Sequence, residues 1–178
     1  MKFTLYLALF LSLNAFGQTK YFTKTGTIDF EASVPSFEEV AAKNNSVTAI
    51  LNVDNGEFAA LAFVKAFRFK NALMEEHFNE NYAESDTYPK ATFKGKIEGF
   101  DDNNLKSSYV IKGELTFHGE TKSLNNVMLQ ISKNDNILEL SGSFKVLVSD
   151  FNIEIPKIVR NKLSEEVEIT LKFELTPK

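Results

Sequence analysis

From Glu166 to Leu175 apolar and polar residues alternate without a break. Val167, Ile169, Leu171, Phe173 and Leu175 interleave with Glu166, Glu168, Thr170, Lys172 and Glu174. Successive side chains of a strand point to opposite faces, so this order puts one greasy face and one charged face on a single ribbon. The same period recurs along the chain, in Phe22, Lys24, Gly26, Ile28, Phe30 and Ala32 and then in Val47, Ala49, Leu51 and Val53. It returns in Ala91, Phe93, Gly95 and Ile97, in Tyr109, Ile111, Gly113, Leu115 and Phe117, in Val127, Leu129 and Ile131, and in Leu138, Leu140, Gly142, Phe144 and Val146. Between these runs lie turn signals: Asp54-Asn55-Gly56, Asp101 to Asn104, His118-Gly119-Glu120 and Asn134-Asp135-Asn136. About eight antiparallel strands joined mostly by short polar turns make an all-β chain that can close into a barrel, with a sandwich as the alternative. No repeat, low-complexity tract or break in composition divides the chain, so residues 18–178 read as one domain.

Several segments depart from the simple alternation. Glu57 to Phe69 is apolar on both faces, with Leu61, Phe63, Phe67 and Phe69 on one side and Phe58, Ala60, Ala62, Val64 and Ala66 on the other. A strand of that kind needs cover on both faces. Ala72 to Tyr82 switches to helical spacing, with Leu73, Met74, His77 and Phe78 forming a stripe. Ser36-Phe-Glu-Glu39 has the capping-box pattern and predicts a short helix over Phe37 to Lys43. The stretch from Pro156 to Leu163 has the look of another. Gly95, Gly113 and Gly142 fall on inward positions, where they either leave the interior partly empty or let the sheet bend sharply.

The chain opens with Met1-Lys2, an apolar run from Phe3 to Leu13, and Ala15-Phe16-Gly17 as a small-x-small cleavage signal. The run falls short of the ~20 residues needed to span a bilayer. Residues 1–17 therefore read as a signal peptide, cleavage leaves Gln18 at the new N-terminus, and the protein is expected in the periplasm or outside the cell with no transmembrane anchor. Cysteine is absent, which removes disulfides, thiolate metal sites, a cysteine nucleophile and a lipid-modified N-terminal cysteine. At about 160 residues the mature domain can bury a sufficient core without disulfides.

Twenty Lys and Arg stand against 24 Asp and Glu, a net charge of −4, and the basic residues form no stripe that would neutralise phosphates. This argues against nucleic acid as a partner. The composition is unusual in its 17 Phe and no Trp. Phe has no polar tip to satisfy, so it suits a dry interior lining as well as a packed core.

No catalytic set stands out. His77 and His118 are the two histidines, neither in a metal-ligand spacing, and each reads more simply as structural. Glu75-Glu76, Asp101-Asp102 and Glu165-Glu166 are adjacent pairs, which on a strand point to opposite faces and form no acid/base couple. There is no G-x-S-x-G elbow and no phosphate-binding glycine loop. No metal or cofactor is expected, and the chain reads as a non-enzyme.

The order of certain residues carries more than any one of them. Gly26, Ile28 and Phe30 come first, and Phe67, Leu73, Met74, His77 and Phe78 follow. Tyr88, Pro89, Ala91, Phe93 and Gly95 come next, then Gly113, Leu115, Thr116, Gly119, Thr121 and Lys122, and finally Phe144 and Asp150. In this order and spacing the chain resembles the YceI-like family of polyisoprenoid-binding proteins. The resemblance implies an extended, lipocalin-like antiparallel barrel of eight strands with one or two short helices. It also implies export and a long hydrophobic pore along the barrel axis that takes an isoprenoid chain or another long-chain amphiphile, such as a quinone-like lipid. The missing Trp and the compact Glu31 to Asn45 connection bear on the length of that pore.

Alternation assigns Phe93, Tyr109, Ile111, Leu115, Phe144, Ile169, Leu171 and Phe173 to the interior. The doubly apolar strand and the helix after it add Phe63, Phe67, Phe69, Leu73, Met74 and Phe78 to the expected pore wall, unless these six are ordinary core between helix and barrel. The expected function is a non-catalytic carrier or sequestering protein. The alternative is a structural or interaction barrel filled by its own side chains, possibly a homodimer.

Overall fold

The computed structural model describes residues 20–35 and 37–178. The expected signal peptide lies outside the described residues. The chain runs through β1 (Lys20–Ser33), β2 (Ala41–Asn52), β3 (Glu57–Phe63), a two-residue β4 (Arg68–Phe69), β5 (Lys90–Ile97), β6 (Ser108–Phe117), β7 (Glu120–Asn134), β8 (Ile137–Leu147) and β9 (Leu163–Pro177). The eight long strands meander antiparallel from β1 to β2, β3, β5, β6, β7, β8 and β9, and β9 pairs back onto β1. The sheet is thus a closed eight-stranded barrel, and closure leaves no long unpaired edge. Among the described residues no helix is long and apolar enough to cross a membrane.

One short helix, α1 (Ala72–His77), lies at one end of the barrel and widens into a π turn over Phe78–Tyr82. Asn71 starts it, its side-chain oxygen accepting from the Leu73 and Met74 backbone N–H groups at 2.9 and 3.4 Å. The helix expected over Phe37 to Lys43 is absent. Ala41 to Lys43 already belong to β2, and the connection is closed as a hairpin by Ala32 N–H to Val40 O at 2.8 Å and Val40 N–H to Ser33 Oγ at 3.0 Å. The second expected helix is also absent. Val148–Phe151 forms a 3₁₀ turn, Asn152 takes a left-handed φ of 54°, and Pro156 to Lys162 runs in hydrogen-bonded turns.

The alternation changes phase at two places. In β1 the pairing with β2 slips between Thr23 and Gly26. Tyr21 and Thr23 point inward before the bulge, while Gly26, Ile28, Phe30 and Ala32 do so after it. Phe22 and Lys24 therefore do not share one face with Gly26, Ile28, Phe30 and Ala32 as the unbroken alternation suggests, because a bulge inserts a residue and reverses the faces. The doubly apolar segment is likewise not one strand. A 3₁₀ turn over Val64–Ala66 interrupts it, held by Val64 N–H to Pro89 O at 3.0 Å and Phe67 N–H to Val64 O at 3.2 Å. Phe58, Ala60 and Ala62 face inward before the turn, and the odd-numbered Phe67 and Phe69 do so after it.

The barrel interior has two unlike halves. At the end away from α1, Leu51, Ile97, Leu138, Leu140 and Leu175 are wholly buried, with Tyr21, Tyr109, Leu129 and Ile131 among them. At the α1 end the inward residues of the same strands, including Phe93, Leu115, Phe144, Ile169 and Leu171, remain partly exposed. Glycines make room for aromatic rings where the two halves meet. A Cβ on Gly26 would lie 2.3 Å from Phe173 Cδ1. Gly95 and Gly113 pair directly across β5 and β6, and a Cβ on either would lie 2.3 Å from a neighbouring strand's carbonyl oxygen and within 2.8 Å of the Phe93 ring. These glycines therefore do not leave the interior empty; a ring covers the space and the strands approach closely over it.

Candidate functional site

The partly exposed half encloses a cavity of about 510 Å³, lined almost wholly by apolar side chains and open at the α1 end. That volume lies inside the ~300–1,000 Å³ range of ligand sites. The floor is built by Phe58 and Phe173, whose rings sit 5.6 Å apart and tilted by 50°, with Leu129 and Leu140 beside them. Gly26 lets the Phe173 ring approach β1 closely.

Near the mouth four rings gather. Phe30 stands 5.4 Å from Phe67, 5.7 Å from Phe69 and 5.2 Å from Phe78, and Phe69 is 5.3 Å from Phe78. Their tilted and edge-on geometries are those aromatic pairs prefer. Through Phe78 this cluster anchors the helix to the barrel. The π turn that starts at Phe78 brings Tyr82 onto the same wall as Met74, His77 and Phe78. Opposite, the connection between β8 and β9 sends Phe151, Ile153, Ile155 and Val159 into the cavity wall.

Of the residues expected at the pore, Phe67, Phe69, Met74, Phe78, Phe93, Ile111, Leu115, Phe144, Ile169, Leu171 and Phe173 stand on the cavity wall. Three do not. Phe63 is exposed on the outside of the barrel with the Lys90 ammonium 5.9 Å over its ring, because the 3₁₀ turn reverses the faces after it. Leu73 is 55% exposed on the outer side of α1, since the helix turns Met74, not Leu73, toward the barrel. Tyr109 lies in the packed half against Phe100, its hydroxyl accepting from the Lys106 N–H at 2.8 Å. The sequence reading missed Phe30, whose place in an inward-facing run was a usable signal. It also missed Ile153, Ile155 and Val159, which sit in an aperiodic loop and gave no signal.

The polar residues along the cavity are few: Glu38, His77, Tyr82, Thr92, Lys162 and Ser164. Burial raises the Tyr82 phenol above its ordinary pKa, so it stays neutral there. The two histidines do not meet. His77 lies exposed at the cavity margin. His118 sits at the turn between β6 and β7, with Nδ1 2.8 Å from Phe151 O and its ring edge-on to Tyr88 at 4.7 Å. That placement ties the turn to the Val148–Phe151 connection. Among the described residues no group of three or more acidic or histidine side chains is arranged to hold a metal ion. What the arrangement offers is apolar enclosure with a polar rim.

Solved structures with this architecture come from several bacteria. A polyisoprenoid binding domain from Saccharophagus degradans, implicated in plant cell wall breakdown, superposes with a TM-score of 0.78 at 12% identity, covering 91% of this chain and 100% of that one. BcnA of Burkholderia cenocepacia gives 0.71 at 17% identity over 85% of this chain and 96% of that one. The YCEI protein of Campylobacter jejuni gives 0.60 at 17% over 82% and 88%. At such identities the likeness speaks for the fold. No curated protein sequence matches this chain closely enough to add to it. The family comparison does reach the sequence itself: residues 16–175 match the YceI-like domain, and the chain belongs to the YceI-like domain family.

Proposed function

We propose that this protein is an exported, non-catalytic carrier or sequestering protein that holds one isoprenoid-type lipid, a polyisoprenoid or quinone-like amphiphile, in its barrel cavity. The observation that carries this reading is the blind apolar cavity of about 510 Å³, closed below by Phe58 and Phe173 and open beside α1. Each buried CH₂ contributes ~0.8 kcal/mol, so a few isoprene units bind well by burial alone and need no conspicuous polar motif. The head group then lies at the rim, near His77, Tyr82, Lys162 and Ser164. The Saccharophagus degradans neighbour is described as a polyisoprenoid binding domain, which makes that lipid class the first to try. A barrel filled by its own side chains would not leave such a space.

Native mass spectrometry of protein purified from its host tests this. A co-purifying lipid, or saturable binding of a fluorescent isoprenoid analogue to delipidated protein, is expected. An empty protein that also fails to bind the analogue would refute it. Export rests on the leader, with cleavage before Gln18. An intact mass that retains Met1 to Gly17 on the mature protein would overturn that part alone.

A further inference from the structure

We propose that the rim of the cavity mouth is a docking surface for an anionic lipid bilayer, so that lipid passes between membrane and barrel without crossing water. The proposal rests on reading the cavity as a lipid site. Three observations converge on it.

Large apolar side chains crowd the rim in the open. Ile158 is 84% exposed, Leu73 55% and Phe37 44%. They lie on three adjoining elements. The Ser33↔Leu163 pair sets the Phe37 loop beside the Ile158 loop. The Asn71 amide donates to Glu38 Oε1 at 3.1 Å, which ties the start of α1, and with it Leu73, to the Phe37 loop.

This apolar fringe is continuous with the interior, because Phe37 and Val159 also line the cavity. Scattered exposed hydrophobic residues are ordinary on a surface. Three around one opening, joined to an apolar cavity, are a different arrangement.

Exposed cations also stand at the rim of a molecule that is negative overall. The sequence carries −4, and Lys157, Arg160 and Lys162 stand exposed on the loop at the rim. Glu154 and Glu165 flank that loop, and Arg160 Nε lies 4.0 Å from Glu165 Oε1, so Lys157 and Lys162 carry most of its positive charge. The acids of the facing loop are engaged: Glu38 accepts from Asn71 and Glu39 pairs with Lys70. Apolar tips that enter the acyl boundary, with cations level with the head groups, are what an anionic interface binds. A lipid chain moving through a seated mouth stays in apolar surroundings throughout.

The test is co-sedimentation of the full mature protein with phosphatidylcholine vesicles and with phosphatidylcholine–phosphatidylglycerol vesicles, at low and raised salt. The parent is expected to bind the anionic vesicles preferentially and to release as salt rises. Ile158→Asp should weaken binding several-fold. Lys157→Glu with Arg160→Glu should weaken it by at least about fivefold per cation. Met128→Asp, at a residue 47% exposed on the outer face of β7 and away from the mouth, should bind as the parent does. Equal binding to neutral and anionic vesicles, or parent-like binding by Ile158→Asp, would overturn the proposal. So would a solution dimer that Ile158→Asp splits, since the face would then belong to a second copy. A fluorescent isoprenoid analogue, titrated without vesicles, keeps the two readings apart. Ile158→Asp should bind it normally, and a parent that docks to vesicles but cannot take up the analogue would refute the carrier reading while supporting the docking surface.

Discussion

A buried amide inside an apolar barrel is costly unless both of its ends find partners. Asn44 is wholly buried, and both ends are in use. Its Nδ2 donates to Phe63 O at 3.1 Å, where β3 gives way to the 3₁₀ turn, and its Oδ1 accepts from the Ser46 backbone N–H and hydroxyl, each at 2.9 Å. One side chain thus secures the end of β3 and a second irregularity in the β1–β2 pairing, where β2 carries one extra residue between Asn44 and Val47. Asn44→Ala leaves a buried carbonyl unpaired and should cost about 1–3 kcal/mol, measured by denaturant unfolding. A loss within the error of that measurement would mean that water takes over the amide's role. Tyr82 gives a second test at this scale. Burial favours its neutral phenol, so the unfolded chain releases that proton first. The Asp102 carboxylate raises Lys133 by hydrogen bonding at 2.8 Å, so the fold holds that proton more tightly too. Both contributions are intact at neutral pH and fade as pH rises past about 10, the unfolded values. Stability should therefore fall on the alkaline side, and Tyr82→Phe should remove from the ultraviolet absorbance titration a phenol that ionises above the ordinary tyrosine value.

Elements show why some of the molecule could be read from sequence and some could not. The closed eight-stranded barrel was legible because alternation and turn chemistry repeat along the chain. The Phe37 to Lys43 helix was misread because a capping-box pattern is a local signal, and the hairpin bonds at Ser33 and Val40 outweigh it. Phe63 was misplaced because a single-residue phase shift at Val64–Ala66 leaves no mark in a segment apolar on both faces. The ring-over-glycine pairs were half legible: Phe173 read as inward and Gly26 shared a face with Ile28 and Phe30, but their contact runs between strands distant in sequence. That contact makes a prediction. Gly26 has ordinary backbone torsions, so Gly26→Ala acts through packing alone, by driving a methyl into the Phe173 ring. It should cost about 1–3 kcal/mol. In a Phe173→Leu background the cost should shrink, because the ring is gone, and a double-mutant cycle measures the coupling. Additive costs would show that the ring does not rest on Gly26. Phe173→Leu should also deepen the cavity floor and favour longer isoprenoid analogues over short ones.

At the scale of the whole molecule, the division of one barrel into a packed half and an open half is what makes it a container. Strand periodicity cannot report this division. Ile169 and Leu175 are both inward on β9 and alternate alike, yet Leu175 is fully buried next to Leu138, its partner on β8, whereas Ile169 looks into open space. Which inward residues meet a partner depends on ring sizes and glycines around the whole circumference, and on the loop from Phe151 to Leu163 that folds over one end. The division nevertheless has an unambiguous energetic signature. A carboxylate placed at Leu138 would be dry and unpaired, a penalty of several kcal/mol against a total stability of about 5–15 kcal/mol. The same carboxylate at Ile169 would face a cavity open to solvent and could stay hydrated. Leu138→Asp should therefore fail to fold. Ile169→Asp should fold with a modest loss of about 1–2 kcal/mol, keep the parent's β-sheet circular dichroism, and lose most of its affinity for a fluorescent isoprenoid analogue. If Ile169→Asp unfolds as completely as Leu138→Asp, the upper half is a packed core and the cavity does not exist in solution. If it folds and still binds the analogue at parent affinity, the cavity exists but the lipid chain lies elsewhere.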